Sequence, residues 1–374
     1  MNPRVNEISA SLIREIAARR KPGSIDLGLG EPSLMPEAAH LRAGMTFALE
    51  RGLRYTANAG DPELRAAIAR HYAYRGLEDA ENVCVTTGSQ EATYATIKAL
   101  LDPAKDELLV VEPAFPSYAK MAALEGVAVQ RVSLAEADGF AFDAQRIAAA
   151  LTPRTRMIVI CSPCNPTARV ITNEQMLALA GVLQQRDGEP VWILHDEIYR
   201  EQTFVQNAGY FASVYPHTIV TNSVSKSNAL TGLRLGWALG PKEAIAAIVK
   251  VHAWLTSCAD TFSQQTVLHV FKENALREHA GWYQTRACEI TDVLRESGMR
   301  HIAPDGSFYA CVRLPQGANS LQAALDLADR YDTIAIPGSA FGASFEGWLR
   351  LSWVSSSEQF REGVQRIKDY AAAS

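Results

Sequence analysis

The chain has 374 residues, 48% of them hydrophobic and 21% charged, with a net charge of −5 and a pI near 6.0. This is the composition of an ordinary globular protein, and with no basic stripe or Lys/Arg run it argues against a nucleic-acid-binding role. Its length fits about two domains. No apolar run reaches the ~18 residues of a membrane helix. The first residues, MNPRVNEISASLIREIAARRKPG, lack an apolar core followed by a small-residue cleavage site, so the expected location is the cytoplasm.

In chain order, residues 9–20 read as an amphipathic helix capped by Ser9 or Ser11, and Pro22-Gly23 turns into a short extended run, IDLGLGEP. The segment 61–76 predicts a helix with Asp61 as N-cap, Pro62 at the first position and Gly76 as the stop. Short apolar runs follow at 82–88, 107–113, 127–134, 156–163, 191–199 and 218–225. Helical stretches such as 89–101 and 173–186 separate most of them. Uniformly apolar strands alternating with helices argue a parallel sheet covered on both faces. Ligands of such sheets bind beyond the C-terminal strand ends, and Gly88, Asn165, Asp196 and Lys226 sit there.

After about residue 265 the texture changes to a smaller α+β unit. It comprises a long helical stretch (264–298), strands at 307–315, 333–342 and 348–354, and helices at 319–331 and 357–371. The expected division is a large unit at 45–265 and a small unit formed by 1–44 with 266–374. The cysteines are scattered, a pattern suited to free thiols in a reducing compartment. Only Cys161 and Cys164, in CSPC, have the spacing of a dithiol, and the Asn165-Pro166-Thr167 turn that follows is not the helix start such a site uses.

Lys226 lies among small and apolar residues in SVSKSNALTGLRLGW. A buried lysine without a carboxylate partner loses its charge readily, and a neutral amine condenses with a carbonyl. Taken alone, a lysine snorkelling to solvent is the better explanation. Its neighbours Ser223, Ser225 and Arg234 suit a phosphate dianion. The Thr87-Gly88-Ser89-Gln90 turn, between a strand and a helix, offers a second anion cradle. Together they describe a Schiff-base lysine beside a phosphate. In that reading Asp196 keeps a pyridine nitrogen protonated, Tyr199 and Asn165 bond a ring oxygen, and Phe115 stacks on the ring. As isolated residues, Tyr199 and Phe115 read more readily as core aromatics than as cofactor contacts, and Asn165 as a turn former. Arg350, in GWLRLSW, is either a snorkelling edge residue or a carboxylate clamp.

These segments, with YTANAGDPELRAAIA, SPCNPT, DEIY and PDGSFYA, resemble the fold-type I pyridoxal-phosphate-dependent aminotransferases of class I/II, in order and over nearly the whole chain. The resemblance implies an α/β fold. Its large domain has a mostly parallel seven-stranded sheet in an α/β/α sandwich, with a smaller α+β domain beside it. It also implies pyridoxal 5′-phosphate as cofactor and transfer of an α-amino group to a 2-oxo acid by a ping-pong route. By the same resemblance Lys226 forms the internal aldimine and moves the substrate proton, and Asp196 pairs with the pyridinium. Asn165 and Tyr199 bond the ring oxygen, while Phe115 and Ile198 flank the ring. Gly88, Ser89, Gln90, Ser223, Ser225 and Arg234 hold the phosphate. Arg350 binds the substrate carboxylate near Gly30 and Asn165, and Tyr55 reaches the phosphate of the partner subunit in a homodimer.

Two departures stand out. Ala168 replaces the glycine of NPTG, and Gln90 stands where one aspartate-specific branch has a lysine for the distal carboxylate. Arg169 and Arg200 are candidates for that second carboxylate by proximity in sequence alone. A β-lyase, a decarboxylase or a cyclising synthase carries the same motifs, because one electron sink serves several carbanions. A ligand-binding regulator is the other alternative, but the resemblance begins within the first 25 residues or so and leaves no room for a DNA-binding module before it.

Overall fold

A computed structural model describes residues 2–373. Its strands are β1 (Ile25–Asp26), β2 (Val83–Thr86), β3 (Glu107–Glu112), β4 (Ala128–Ser133), β5 (Thr155–Cys161), β6 (Trp192–Asp196) and β7 (Thr218–Ser223). They continue with β8 (Gly236–Leu239), β9 (His301–Ile302), β10 (Tyr309–Arg313), β11 (Thr333–Ile334), β12 (Ile336–Pro337) and β13 (Trp348–Ser352). Seven form one sheet in the order β2-β8-β7-β6-β5-β3-β4. Strands β3 to β7 are paired in parallel, whereas β8 runs antiparallel to both its neighbours, β7 and β2. The sheet is therefore mixed. Because β8 alone runs backwards, β2 points the same way as β3–β7, and the turn after Thr86 emerges at the same edge as the ends of β5, β6 and β7.

The sheet strands are apolar because both faces are covered. Met157–Ile160 in β5 and Ile193–Leu194 in β6 are essentially inaccessible to solvent. Each such side chain stabilises the fold by about 1.5–3 kcal/mol relative to exposure. On one face the helices Ser89–Leu100, Ser117–Glu125 and Lys242–Thr256 share a core with Leu108, Val110, Met157, Val159 and Leu194. On the other, Asn173–Gln184 packs over Leu109, Ile158, Ile160 and Ile193.

A separate four-stranded antiparallel sheet, β12-β13-β10-β9, forms in the C-terminal part of the chain. Strand β1 pairs in parallel with β11, Ile25 opposite Thr333, and so joins the N-terminal segment to the C-terminal part. The C-terminal helix Ser357–Ala373 lies close on it: a Cβ at Gly363 would come 2.6 Å from a Leu27 methyl.

Several boundaries differ from expectation. The 9–20 helix contracts to Leu12–Ala17, with Ser11 at the N-cap but no side-chain cap bond. Asp61 caps its helix as anticipated, accepting from Glu63 N at 2.8 Å and Leu64 N at 3.1 Å. That helix ends at Tyr72 on a left-handed Ala73, three residues before Gly76. The helical stretch 264–298 is two helices, Thr261–Lys272 and Ala280–Ser297, broken where Asn274 takes φ +53°.

Candidate active site

The C-terminal ends of β2, β5, β6 and β7 open onto a cavity of about 680 Å³. Its lining includes Lys226, Asp196, Asn165, Tyr199, Arg350, Arg234, Ser225, Ser89, Gln90, Phe115, Ile198 and Gly30, so twelve of the fifteen anticipated residues meet there. Gly88 and Ser223 lie behind the wall. Tyr55 is 88% exposed and does not line the cavity of its own chain.

Lys226 follows the end of β7 in a short helical turn, Val224–Ser227. Gln202 holds its backbone, Nε2 to the Lys226 carbonyl at 2.7 Å. The ammonium donates to the Gly30 carbonyl at 2.6 Å and forms no ion pair among the described residues. Burial lowers its pKa to about 8; Glu31 opposes the shift, and Arg350, Arg234 and Arg14 add to it. The snorkelling reading fails on this geometry.

Asp196 ends β6 and is 7% exposed. Tyr118 donates to its Oδ2 at 2.6 Å, and the Ile198 N–H to its Oδ1 at 3.2 Å. Burial raises the carboxyl pKa to about 6, against these two bonds. Tyr118 escaped the sequence reading although it stands only three residues after Phe115. The available signal was general: a buried tyrosine hydroxyl needs a partner.

The anion cradle is built from close backbone approaches. Gly88 has φ +82°, and a Cβ there would sit 2.7 Å from Nη2 of Arg234. A Cβ at Gly236 would sit 2.5 Å from the Ser89 nitrogen. Arg234 itself is left-handed, φ +52°, and is steadied by Nη1 donating to the Thr231 carbonyl at 3.0 Å. Ser223 caps the turn through Ser225 N at 2.9 Å and donates to Ser225 Oγ at 2.7 Å, which leaves the Ser225 hydroxyl proton for the cavity. Beyond Gly88, the helix Ser89–Leu100 leaves its first N–H groups without intrahelical partners.

Arg350 is 1% exposed and lies on β13, between β10 and β12, so it is no edge residue. Its Nη1 donates to Asn165 Oδ1 at 3.1 Å, its Nη2 to the Gly28 carbonyl, and its guanidinium stacks 4.3 Å above the Tyr309 ring. Tyr309 in turn shares a 3.0 Å hydroxyl bond with Tyr199. Arg14 and Glu31 also line the cavity and were missed, although Gly30, beside Glu31, was anticipated there.

Two earlier candidates fall away from the site. Arg169 pairs with Asp305 at 3.2 Å, and Arg200 pairs with Glu197 at 2.7 Å beneath the Tyr210 ring; neither lines the cavity. Cys161 lines it, but both CSPC sulfurs are free thiols held by carbonyls of Pro163 and Pro113, and burial pushes both pKa values up.

The family model described as aminotransferase class I and II matches residues 22–367. The aspartate aminotransferase of Pyrococcus horikoshii is 31% identical, covering 98% of this chain and 95% of the relative. The arginine–pyruvate transaminase of Pseudomonas aeruginosa is 32% identical, covering 92% and 89%. A solved structure of Thermus thermophilus aspartate aminotransferase with maleate superposes at a TM-score of 0.90, with 31% identity and 99% of each chain covered.

Proposed function

Because the chain belongs to the class I and II aminotransferases, we propose that pyridoxal 5′-phosphate fills this cavity and that the residues around it divide the work of amino-group transfer. The observation that carries this reading is Lys226, a part-buried amine with no ion pair among the described residues, sharing one cavity with Asp196 and an anion cradle. The donor set fits the cofactor: an amine for its aldehyde, a carboxylate for its ring nitrogen, and N–H, hydroxyl and guanidinium groups for its phosphate.

When bound, the cofactor supplies an electron sink for the negative charge that develops at the substrate Cα. Asp196 holds a proton at the ring nitrogen, and Tyr118 keeps Asp196 ionised for that task. Ser89, Gln90, Ser225 and Arg234 hold the phosphate, with Gly88 and Ser223 shaping the cradle. Asn165 and Tyr199 bond the ring oxygen, and Phe115 and Ile198 flank the ring. Lys226 moves the proton at Cα as general base and acid. Arg350 binds the substrate carboxylate, oriented by Asn165. Lys120 is occupied by the Ser9 and Ala10 carbonyls, which leaves Arg14 as the cation for a distal carboxylate.

The protein works as a cytoplasmic homodimer in this reading, with 45–265 as the cofactor-binding unit and 1–44 plus 266–374 as the second. Exposed Leu53, Tyr55, Trp254 and Leu255 support the dimer, as an apolar surface on segments tied together by Asn58 to Ser257 and Thr261 to Arg54. Tyr55 of one copy would then serve the phosphate of the other. A half-reaction screen tests the whole. Each amino acid is mixed with loaded protein in the absence of oxo acid. A true donor converts the cofactor to its pyridoxamine form and releases the matching oxo acid. Pyruvate or CO2 release without that conversion would replace transamination by lyase or decarboxylase chemistry.

A further inference from the structure

Behind the Thr87–Gly88 turn lies a side-chain pair that the roles above leave unused. Glu91, in the first turn of the helix Ser89–Leu100, reaches back and accepts the Thr87 backbone N–H. Its other oxygen lies 2.7 Å from Nδ1 of His252. A carboxylate only accepts, so the proton is on Nδ1. His252 is wholly buried and continues the inward stripe Ile245, Ile248 of the helix Lys242–Thr256. Its Nε2 has no hydrogen-bond partner among the described residues, so Glu91 is the polar contact that orients the ring.

The placement is costly if the pair does nothing. A half-buried carboxylate one residue beyond Gln90 repels an anion in the cradle. Burial works to raise its pKa, yet the His252 and Thr87 bonds hold it below the usual range, so the charge stays. The compensating gain is geometric. Gly88 sits at φ +82°, a conformation that several neighbouring turns would equally permit a glycine. Glu91 pins the Thr87 end of that turn, and His252 pins Glu91 to a separate helix.

We propose that Glu91 and His252 are positioning residues for the phosphate cradle: the pair locks the Thr87–Gly88 turn so that the Ser89 and Gln90 N–H groups converge with Ser225 and Arg234 on one anion. This rests on the reading that the cradle takes the cofactor's phosphate.

The test compares dissociation constants of pyridoxal 5′-phosphate and of pyridoxal, which lacks the phosphate, on the apo full-length chain. Glu91→Ala and His252→Ala each weaken pyridoxal 5′-phosphate by about tenfold and leave pyridoxal unchanged. The double variant is no worse than either single one, because the two residues act as a unit. Glu91→Gln keeps an acceptor for Thr87, and His252→Asn keeps a donor near Nδ1; both recover most of the affinity. Equal weakening of both ligands would show general destabilisation and overturn the proposal, as would no weakening of either. The phosphate reading has its own control. A wild-type chain that does not prefer the phosphorylated ligand, or an Arg234→Ala variant that keeps the preference, sinks that reading instead.

Discussion

Tyr118 and Asp196 meet through a 2.6 Å hydrogen bond with both groups buried, the tyrosine donating from a helix on one face of the sheet to the last residue of β6. Burial alone would leave the carboxyl partly protonated near neutrality, since it raises the pKa to about 6 even with the bond in place. Tyr118→Phe removes one of two donors. A hydrogen bond to a charged group is worth about 1.5–3 kcal/mol, so kcat should fall roughly ten- to hundredfold with little change in KM. Steady-state kinetics on the loaded variant check this. Unchanged kcat would mean that Asp196 stays ionised without Tyr118.

Lys226 gives a pH signature with a definite sign. In the unfolded chain a lysine keeps its proton to ~10.4, whereas burial lowers the folded value to about 8. Between those limits the folded apo protein binds fewer protons than the unfolded one, so its stability rises with pH across that window. Below pH 8 the buried charge is a standing cost. Lys226→Met should therefore raise the apo Tm by about 2–4 °C at pH 7 and by clearly less at pH 10. Asp196 has the opposite slope: its folded value, about 6, exceeds the unfolded ~3.9, so apo stability falls as pH rises between them. Thermal scans of both proteins from pH 5 to 10 separate the two windows. A pH-independent difference between wild type and Lys226→Met would show that the lysine is not desolvated.

Arg350 ties three parts of the site together, through Asn165, the Gly28 carbonyl and the Tyr309 ring. Arg350→Ala should weaken substrate binding by about 2–5 kcal/mol, seen as a raised KM. Arg350→Lys keeps the charge but loses the planar fork, and recovers only part of it. Cofactor affinity should stay near wild type in both. An unchanged KM in Arg350→Ala would make the arginine purely structural.

The strand ends were legible because chemistry and periodicity coincide there. An apolar run that stops at a polar residue, as in VWILHD, marks both a buried strand and its functional tip. Strand β8 was not read, because its first two residues, Gly236 and Trp237, close the motif that carries Arg234 and were taken with it. The break at 273–279 contains neither glycine nor proline, so local signals permit one continuous helix where the fold makes two. Tyr118, Arg14 and Glu91 were invisible for a different reason. Their roles come from partners 78, or in the last case 161, positions away, or from a segment folded back onto the site. Sequence spacing holds no record of such distances.

Gly30 offers the sharpest test of how the N-terminal segment completes the cavity. Its carbonyl accepts from Lys226 at 2.6 Å, and a Cβ built on it would overlap the Tyr309 hydroxyl. That hydroxyl is the partner of Tyr199, and the Tyr309 ring lies beneath Arg350. Gly30 does not need a positive φ, so alanine is allowed by the backbone and the whole cost falls on side-chain clash. Tyr309 must swing away, which breaks the Tyr199 bond and removes the stacking surface of the guanidinium. Gly30→Ala should thus raise KM and lower kcat together, by about tenfold each, at a stability cost of about 1–3 kcal/mol. Gly30→Ala combined with Tyr309→Phe discriminates the cause. Removing the hydroxyl relieves the closest contact but leaves the ring carbon Cζ 2.8 Å from the new methyl, so stability should recover in part while kcat stays low for want of the Tyr199 partner. If the double variant is as unstable as Gly30→Ala alone, the overlap with the Tyr309 hydroxyl is not the source of the cost.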